Sequence, residues 1–126
     1  MDDRPVPLYG DGLNVRDWLH VDDHCRGIQL VLDGGRAGEV YNIGGGTELT
    51  NRELTDRLLE AMGAGEQMVQ PVADRKGHDR RYSVAIHKIS TELGYQPQVD
   101  FATGLADTIN WYRTNEKWWR PLKGTS

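Results

Sequence analysis

Val15-Arg16-Asp17-Trp18-Leu19-His20-Val21-Asp22-Asp23-His24 is the stretch on which the fold reading turns. Its first six residues mix apolar and polar side chains without a clean period, which suits a short strand or extended segment. Asp22 and Asp23 then give the acidic start of a helix, where carboxylates cap and complement the dipole. Ile28, Val31 and Leu32 make the apolar stripe of that helix, and Gly34-Gly35 ends it. A strand passing directly into a helix points to a mixed α/β or α+β domain.

The same punctuation extends in both directions. Upstream, Val6 to Tyr9 lies between prolines and Gly10-Asp11-Gly12 and reads as a strand. Downstream, Val40 to Ile43 is a compact apolar run before Gly44-Gly45-Gly46, which predicts a buried strand and a tight turn. Thr50-Asn51-Arg52-Glu53 is a capping box. Leu54, Leu58, Leu59 and Met62 continue that helix until Gly63 stops it. Met68 to Val72 is a further strand, and Asp74 to Arg81 a charged loop. Ile86 to Leu93 is a helix closed by Gly94. Ala102 to Arg113 is another, with Leu105, Ile109 and Tyr112 on one face. Small sheets with several helices are expected, in one domain over 1–126, with no regular βαβ series and no Rossmann domain.

Composition narrows the function classes. The formal charge is −4, from 15 basic and 19 acidic residues, a poor setting for general nucleic-acid binding. The lone cysteine, Cys25, allows no internal disulfide and fits a reducing cytoplasm. No apolar run approaches the ~20 residues of a membrane span, and Met1-Asp2-Asp3-Arg4 is unlike a targeting peptide.

Catalytic patterns are missing from the sequence. Gly10/Gly12, Gly44/Gly46 and Gly63/Gly65 each begin a dinucleotide fingerprint, but Val15, Leu49 and Met68 stand where its third glycine belongs. No tyrosine is followed four residues later by lysine; Tyr112 has Glu116 there. There is no Cys/His metal spacing and no nucleophile elbow. Asp22, Asp23, His20 and His24 read as structural.

Four segments then matter together: Pro7-Leu8-Tyr9-Gly10-Asp11-Gly12, Val15 to His24, Val40-Tyr41-Asn42-Ile43-Gly44-Gly45, and Asp74-Arg75-Lys76-Gly77-His78-Asp79-Arg80-Arg81-Tyr82. Their order and spacing resemble the C-terminal part of dTDP-glucose 4,6-dehydratases, extended short-chain dehydrogenases that act on nucleotide sugars. The resemblance runs from about Pro5 to Lys123, and the last segment is its most specific part. It implies that NAD and the catalytic residues belong to an N-terminal half, and that this part binds the dTDP end of dTDP-glucose or a related nucleotide sugar. It implies no catalytic residue and no cofactor held here, and a homodimer as the usual assembly. A stand-alone dTDP-sugar binding module, or part of another nucleotide-sugar epimerase, are the alternatives.

The resemblance places Arg16 and Arg75 on the diphosphate, which suits planar, permanently charged donors. The plain alternative is a surface pair with Asp17 or Asp74. It places Pro7, Leu8 and Tyr9 along the thymine and deoxyribose, where the alternative is core packing. Asn42 has a donor and an acceptor for the nucleotide, or holds the glycine bend. Asp74, Lys76, Gly77 and His78 complete the expected binding set, with Arg80, Arg81 and Tyr82 in support. Trp111, Tyr112, Trp118 and Trp119 are expected in core packing or in docking to the missing half. Ala85 departs from the family pattern, which opens the following helix with a capping Asp or similar residue.

Overall fold

In a computed structural model describing residues 4–123, two short strands lead the chain, β1 (Val6–Tyr9) and β2 (Val15–Trp18). The turn between them closes with Gly12 N–H donating to the Tyr9 carbonyl at 3.1 Å. β2 passes into α1 (Val21–Gly34), and β3 (Thr47–Thr50) leads directly into α2 (Asn51–Met62). β4 (Val69–Val72) follows a single 3₁₀ turn. Then come α3 (His87–Leu93), α4 (Phe101–Thr114) and the short α5 (Glu116–Trp119).

Two small sheets result. β1 pairs in parallel with β4, Val6 opposite Val69 and Tyr9 opposite Val72. A parallel pair needs a long crossover, and α1, β3 and α2 supply it. β2 pairs antiparallel with β3, Arg16 opposite Leu49. The expected mixed class with small sheets and several helices is therefore present. Leu8, Leu59, Ile89, Tyr95 and Ile109 form the buried core. The Tyr95 hydroxyl donates to the Gly44 carbonyl at 2.9 Å within it.

Local signals set most helix ends. Thr50 and Glu53 form the reciprocal capping box, and Gly63 and Gly94 end α2 and α3 in the left-handed conformation. Asp100 caps α4 through the Thr103 amide. α3 opens at Ile86, which offers no side-chain cap, in keeping with the absent capping residue near Ala85.

α1 begins differently from the expectation. His20, not Asp22 or Asp23, is the cap, its Nδ1 accepting from the Asp22 amide. Asp23 is fully buried; its carboxylate accepts from the Gln98 and Val99 amides at 2.8 and 3.0 Å and pairs with Arg26. It ties α1 to the segment that leads into α4.

Three further expectations are corrected. Val40–Ile43 forms no strand, because no described strand pairs with it; the Val40 carbonyl accepts instead from Lys88 Nζ at 3.0 Å, and Val40 is 77% exposed. The α1 stripe is not covered: Ile28 and Leu32 are exposed. Of the two uses weighed for the aromatic group, core packing is not the one seen. Trp111, Tyr112 and Trp118 are exposed, and Trp111 meets Tyr112 and Trp118 edge to face at 5.1 and 5.4 Å. Among the described residues, no helix is long and apolar enough to cross a membrane.

These ties have an expected rank. Asp23→Ala removes the carboxylate that accepts from two main-chain amides inside the fold and strands Arg26, for an expected loss of roughly 2–4 kcal/mol. Thr50→Ala removes one cap, for about 1 kcal/mol. Urea unfolding of both variants should give that order; equal losses would contradict the buried tie.

Candidate functional site

The Asp74–Tyr82 loop leaves the end of β4 beside the end of β1. Gly10 N–H donates to the Val72 carbonyl at 3.0 Å, which holds the two strand ends together. A Cβ on Gly10 would lie 3.0 Å from the Asp74 carboxylate, so the β1 turn and the loop approach as closely as glycine permits. Gly77, at φ +69°, gives the loop its reversal, and the His78 amide closes it on the Arg75 carbonyl at 3.2 Å.

Within this loop the Asp74 carboxylate accepts from the Arg75 amide at 2.8 Å and meets His78 Nδ1 at 2.6 Å. The His78 side chain is only 5% exposed. Its hydrogen bond holds the Asp74 carboxyl below the ordinary aspartate range, with the Arg75 amide helping in the same direction. Tyr9, at the end of β1, meets the His78 ring edge to face at 6.3 Å. The Arg75 guanidinium lies over the Tyr9 ring at 5.2 Å. Asp11 of the β1 turn clasps Arg80 through both carboxylate oxygens, at 2.8 and 3.0 Å. That clasp and the Leu13 amide lower the Asp11 carboxyl.

The far end of the loop is fastened to β2. Val15 N–H donates to the Arg80 carbonyl at 2.9 Å, and the Tyr82 amide donates back to the Val15 carbonyl at 3.3 Å. Arg16 reaches across, donating to the Val15 carbonyl at 2.7 Å and to the Asp79 carbonyl at 2.9 Å. Its guanidinium lies 4.1 Å from the Tyr82 ring centroid.

Of the expected binding residues, Tyr9, Asp74, Arg75 and His78 thus form one contact group, and Arg16 joins it through Asp79. Pro7, Lys76 and Gly77 are exposed nearby in sequence. The Leu8 side chain is in the core, which leaves only its main chain for a ligand. Asn42 is exposed on the unpaired Val40–Ile43 segment, and no hydrogen bond joins it to the group. Asn14, Asp11 and Arg80 hold the loop; the sequence reading assigned no such part to Asn14 or Asp11. Asn14 carried no signal, because its partner, Asp79, is 65 residues away.

The surface pairs weighed for Arg16 and Arg75 do not form. Among the described residues neither guanidinium meets a carboxylate, whereas Arg26, Arg36, Arg52, Arg80 and Arg81 all do. Two unneutralised, multi-donor cations, one in the loop and one on the strand bonded to it, can receive a diphosphate. An apolar pocket of about 190 Å³ lies elsewhere, between β2, α2 and α4, lined in part by Trp18, Leu54, Leu58, Val99, Phe101 and Leu105. Among the described residues no glycine pair stands between a strand and a following helix.

A family model described as GDP-mannose 4,6 dehydratase matches residues 1–108. The dTDP-glucose 4,6-dehydratase of Streptomyces antibioticus is 66% identical over 123 residues, covering 98% of this chain and 37% of the relative. That of Mycolicibacterium smegmatis is 47% identical, covering 97% of this chain and again 37% of the relative. A crystal structure of the dTDP-glucose 4,6-dehydratase of Streptomyces venezuelae, with NAD bound, superposes with a TM-score of 0.93 at 66% identity, over 97% of this chain and 38% of that one. The UDP-glucose 4-epimerase of Thermotoga maritima gives 0.81 at 34% identity, over 89% of this chain and 36% of that one. The chain spans about 37% of the length of the curated relatives it matches. It belongs to the GDP-mannose 4,6-dehydratase family, of the extended short-chain dehydrogenase type, and is similar to the C-terminal portion of dTDP-glucose 4,6-dehydratases.

Proposed function

We propose that this chain grips the dTDP end of a nucleotide sugar, as the C-terminal portion of a dTDP-glucose 4,6-dehydratase that converts dTDP-glucose to dTDP-4-keto-6-deoxyglucose. Arg16 and Arg75 take the diphosphate. Tyr9 and the main chain of Pro7 and Leu8 line the thymine and deoxyribose. His78, oriented by Asp74, offers its other ring nitrogen to phosphate or sugar, and Lys76 adds charge at the exposed turn. Asn42, exposed on the Val40–Ile43 segment, adds a donor and an acceptor for the nucleotide. NAD and the proton- and hydride-handling residues sit in an N-terminal half, and the working enzyme is a cytoplasmic homodimer.

The observation that carries this reading is the pair of guanidinium groups left without carboxylates, Arg75 within the loop and Arg16 on β2 bonded to it. Calorimetric titration tests it. The chain should bind dTDP weakly and NAD not at all, and Arg16→Ala and Arg75→Ala should each weaken dTDP by roughly ten-fold. Tighter binding of UDP or GDP than of dTDP would move the chain to another nucleotide-sugar enzyme. No effect of either substitution would remove the diphosphate assignment.

The exposed stripe on α1 and the unpaired Val40–Ile43 segment support a missing partner. The purified chain should therefore associate with rising concentration in sedimentation runs. A concentration-independent monomer with a sharp, high-temperature melt would speak against an N-terminal half covering that face.

Loop electrostatics give an independent check. Asp74 has a lowered folded pKa, so the stability it contributes is present above the unfolded aspartate value and fades as pH falls through the folded one. The Arg75 amide signal should titrate below the ordinary aspartate midpoint, and Asp74→Asn should abolish that step. A midpoint at or above the ordinary value would contradict the His78 bond.

A further inference from the structure

Asn14 stands immediately before β2 and is only 2% exposed. Its main chain is committed to scaffold, because its carbonyl accepts from the Asn51 amide at the start of α2. Its side chain points the other way in function. Nδ2 donates to the Asp79 carbonyl at 3.0 Å, the same oxygen that accepts from Arg16 Nη2 at 2.9 Å. Oδ1 is buried with no partner among the described residues.

An unpaired buried acceptor is costly, and an apolar side chain of similar size would avoid it. Stability alone therefore does not account for an amide at this position. The shared acceptor does. A carbonyl oxygen has two lone pairs, and here one is fixed by a rigid, buried donor and the other receives a long, mobile guanidinium. Asn14 sets where the Asp79 oxygen sits, and that oxygen sets where the Arg16 fork is held. The Val15–Arg80 and Tyr82–Val15 bonds fasten the neighbouring main chain, and the Val15 carbonyl also holds Arg16 Nη1 at 2.7 Å, but none of these reaches the Asp79 oxygen that holds Nη2.

We infer that Asn14 is a positioning residue for nucleotide binding: through the Asp79 carbonyl it fixes the far end of the Asp74–Tyr82 loop and aims Arg16. It does not touch the ligand. The inference rests on the nucleotide reading above for its consequence, and on geometry alone for its effect on the loop.

The test is Asn14→Leu in the chain, read by three measurements: thermal melting, hydrogen exchange of the loop amides, and dTDP titration. Removing an unpaired buried oxygen should leave the melting temperature unchanged or raise it. Exchange should quicken at residues 79–82, and not in the α2 or α4 amides. The dTDP dissociation constant should rise roughly three- to ten-fold, the scale of one lost hydrogen bond. A merely structural residue would lower the melting temperature and quicken exchange throughout, and that outcome overturns the proposal. So does a variant with unaltered loop exchange and unaltered dTDP affinity. If leucine is too bulky for the site and the variant fails to fold, Asn14→Ser, smaller than the native side chain, is read by the same loop exchange and dTDP titration. If the unsubstituted chain binds no dTDP, the nucleotide reading fails, and loop exchange alone decides whether Asn14 holds the loop.

Discussion

The carbonyl oxygen of Asp79 is the point on which the candidate site depends. It accepts from Asn14 and from Arg16, and the residues on either side of it complete the junction: His78 packs on Tyr9, and Arg80 is clasped by Asp11 and bonded to Val15. A loop this charged would be held loosely by its surface ion pairs, since exposed pairs contribute little. Main-chain and buried amide donors hold it instead. They give the loop one shape before any ligand arrives, which lowers the ordering cost of binding.

The scaffold supplies that shape through two short sheets. β1 and β4 deliver Tyr9 and the loop's first residues to one place, because their register puts Tyr9 opposite Val72. β2 delivers Arg16 and the anchor for the loop's last residues. Asp23 and Tyr95 brace the rest of the chain around them through buried hydrogen bonds. The face left uncovered, α1 and Val40–Ile43, carries none of the loop's ties.

What the sequence made legible was mostly local. The Thr50–Glu53 box and the Gly63 and Gly94 stops work over three or four residues, and each formed as read. The Asp74–His78 group was legible because its members share one loop. Contacts across the chain were not. Asp23 looked like a helix cap because its partners, Gln98 and Val99, lie far downstream. Val40–Ile43 had the composition of a strand, but a strand exists only when another accepts its hydrogen bonds. Asn42 was grouped with the nucleotide residues by resemblance, yet it rides on that unpaired segment. Asn14 had nothing in its neighbourhood to distinguish it from any turn asparagine.

The central claim is that the cations of Arg16 and Arg75 meet on one diphosphate. A crystal structure of this chain grown with dTDP tests it most directly. The account expects both phosphate groups of the diphosphate within hydrogen-bonding distance of the two guanidiniums, with the thymine beside Tyr9. A nucleotide bound elsewhere, or one whose phosphates touch neither arginine, would contradict it.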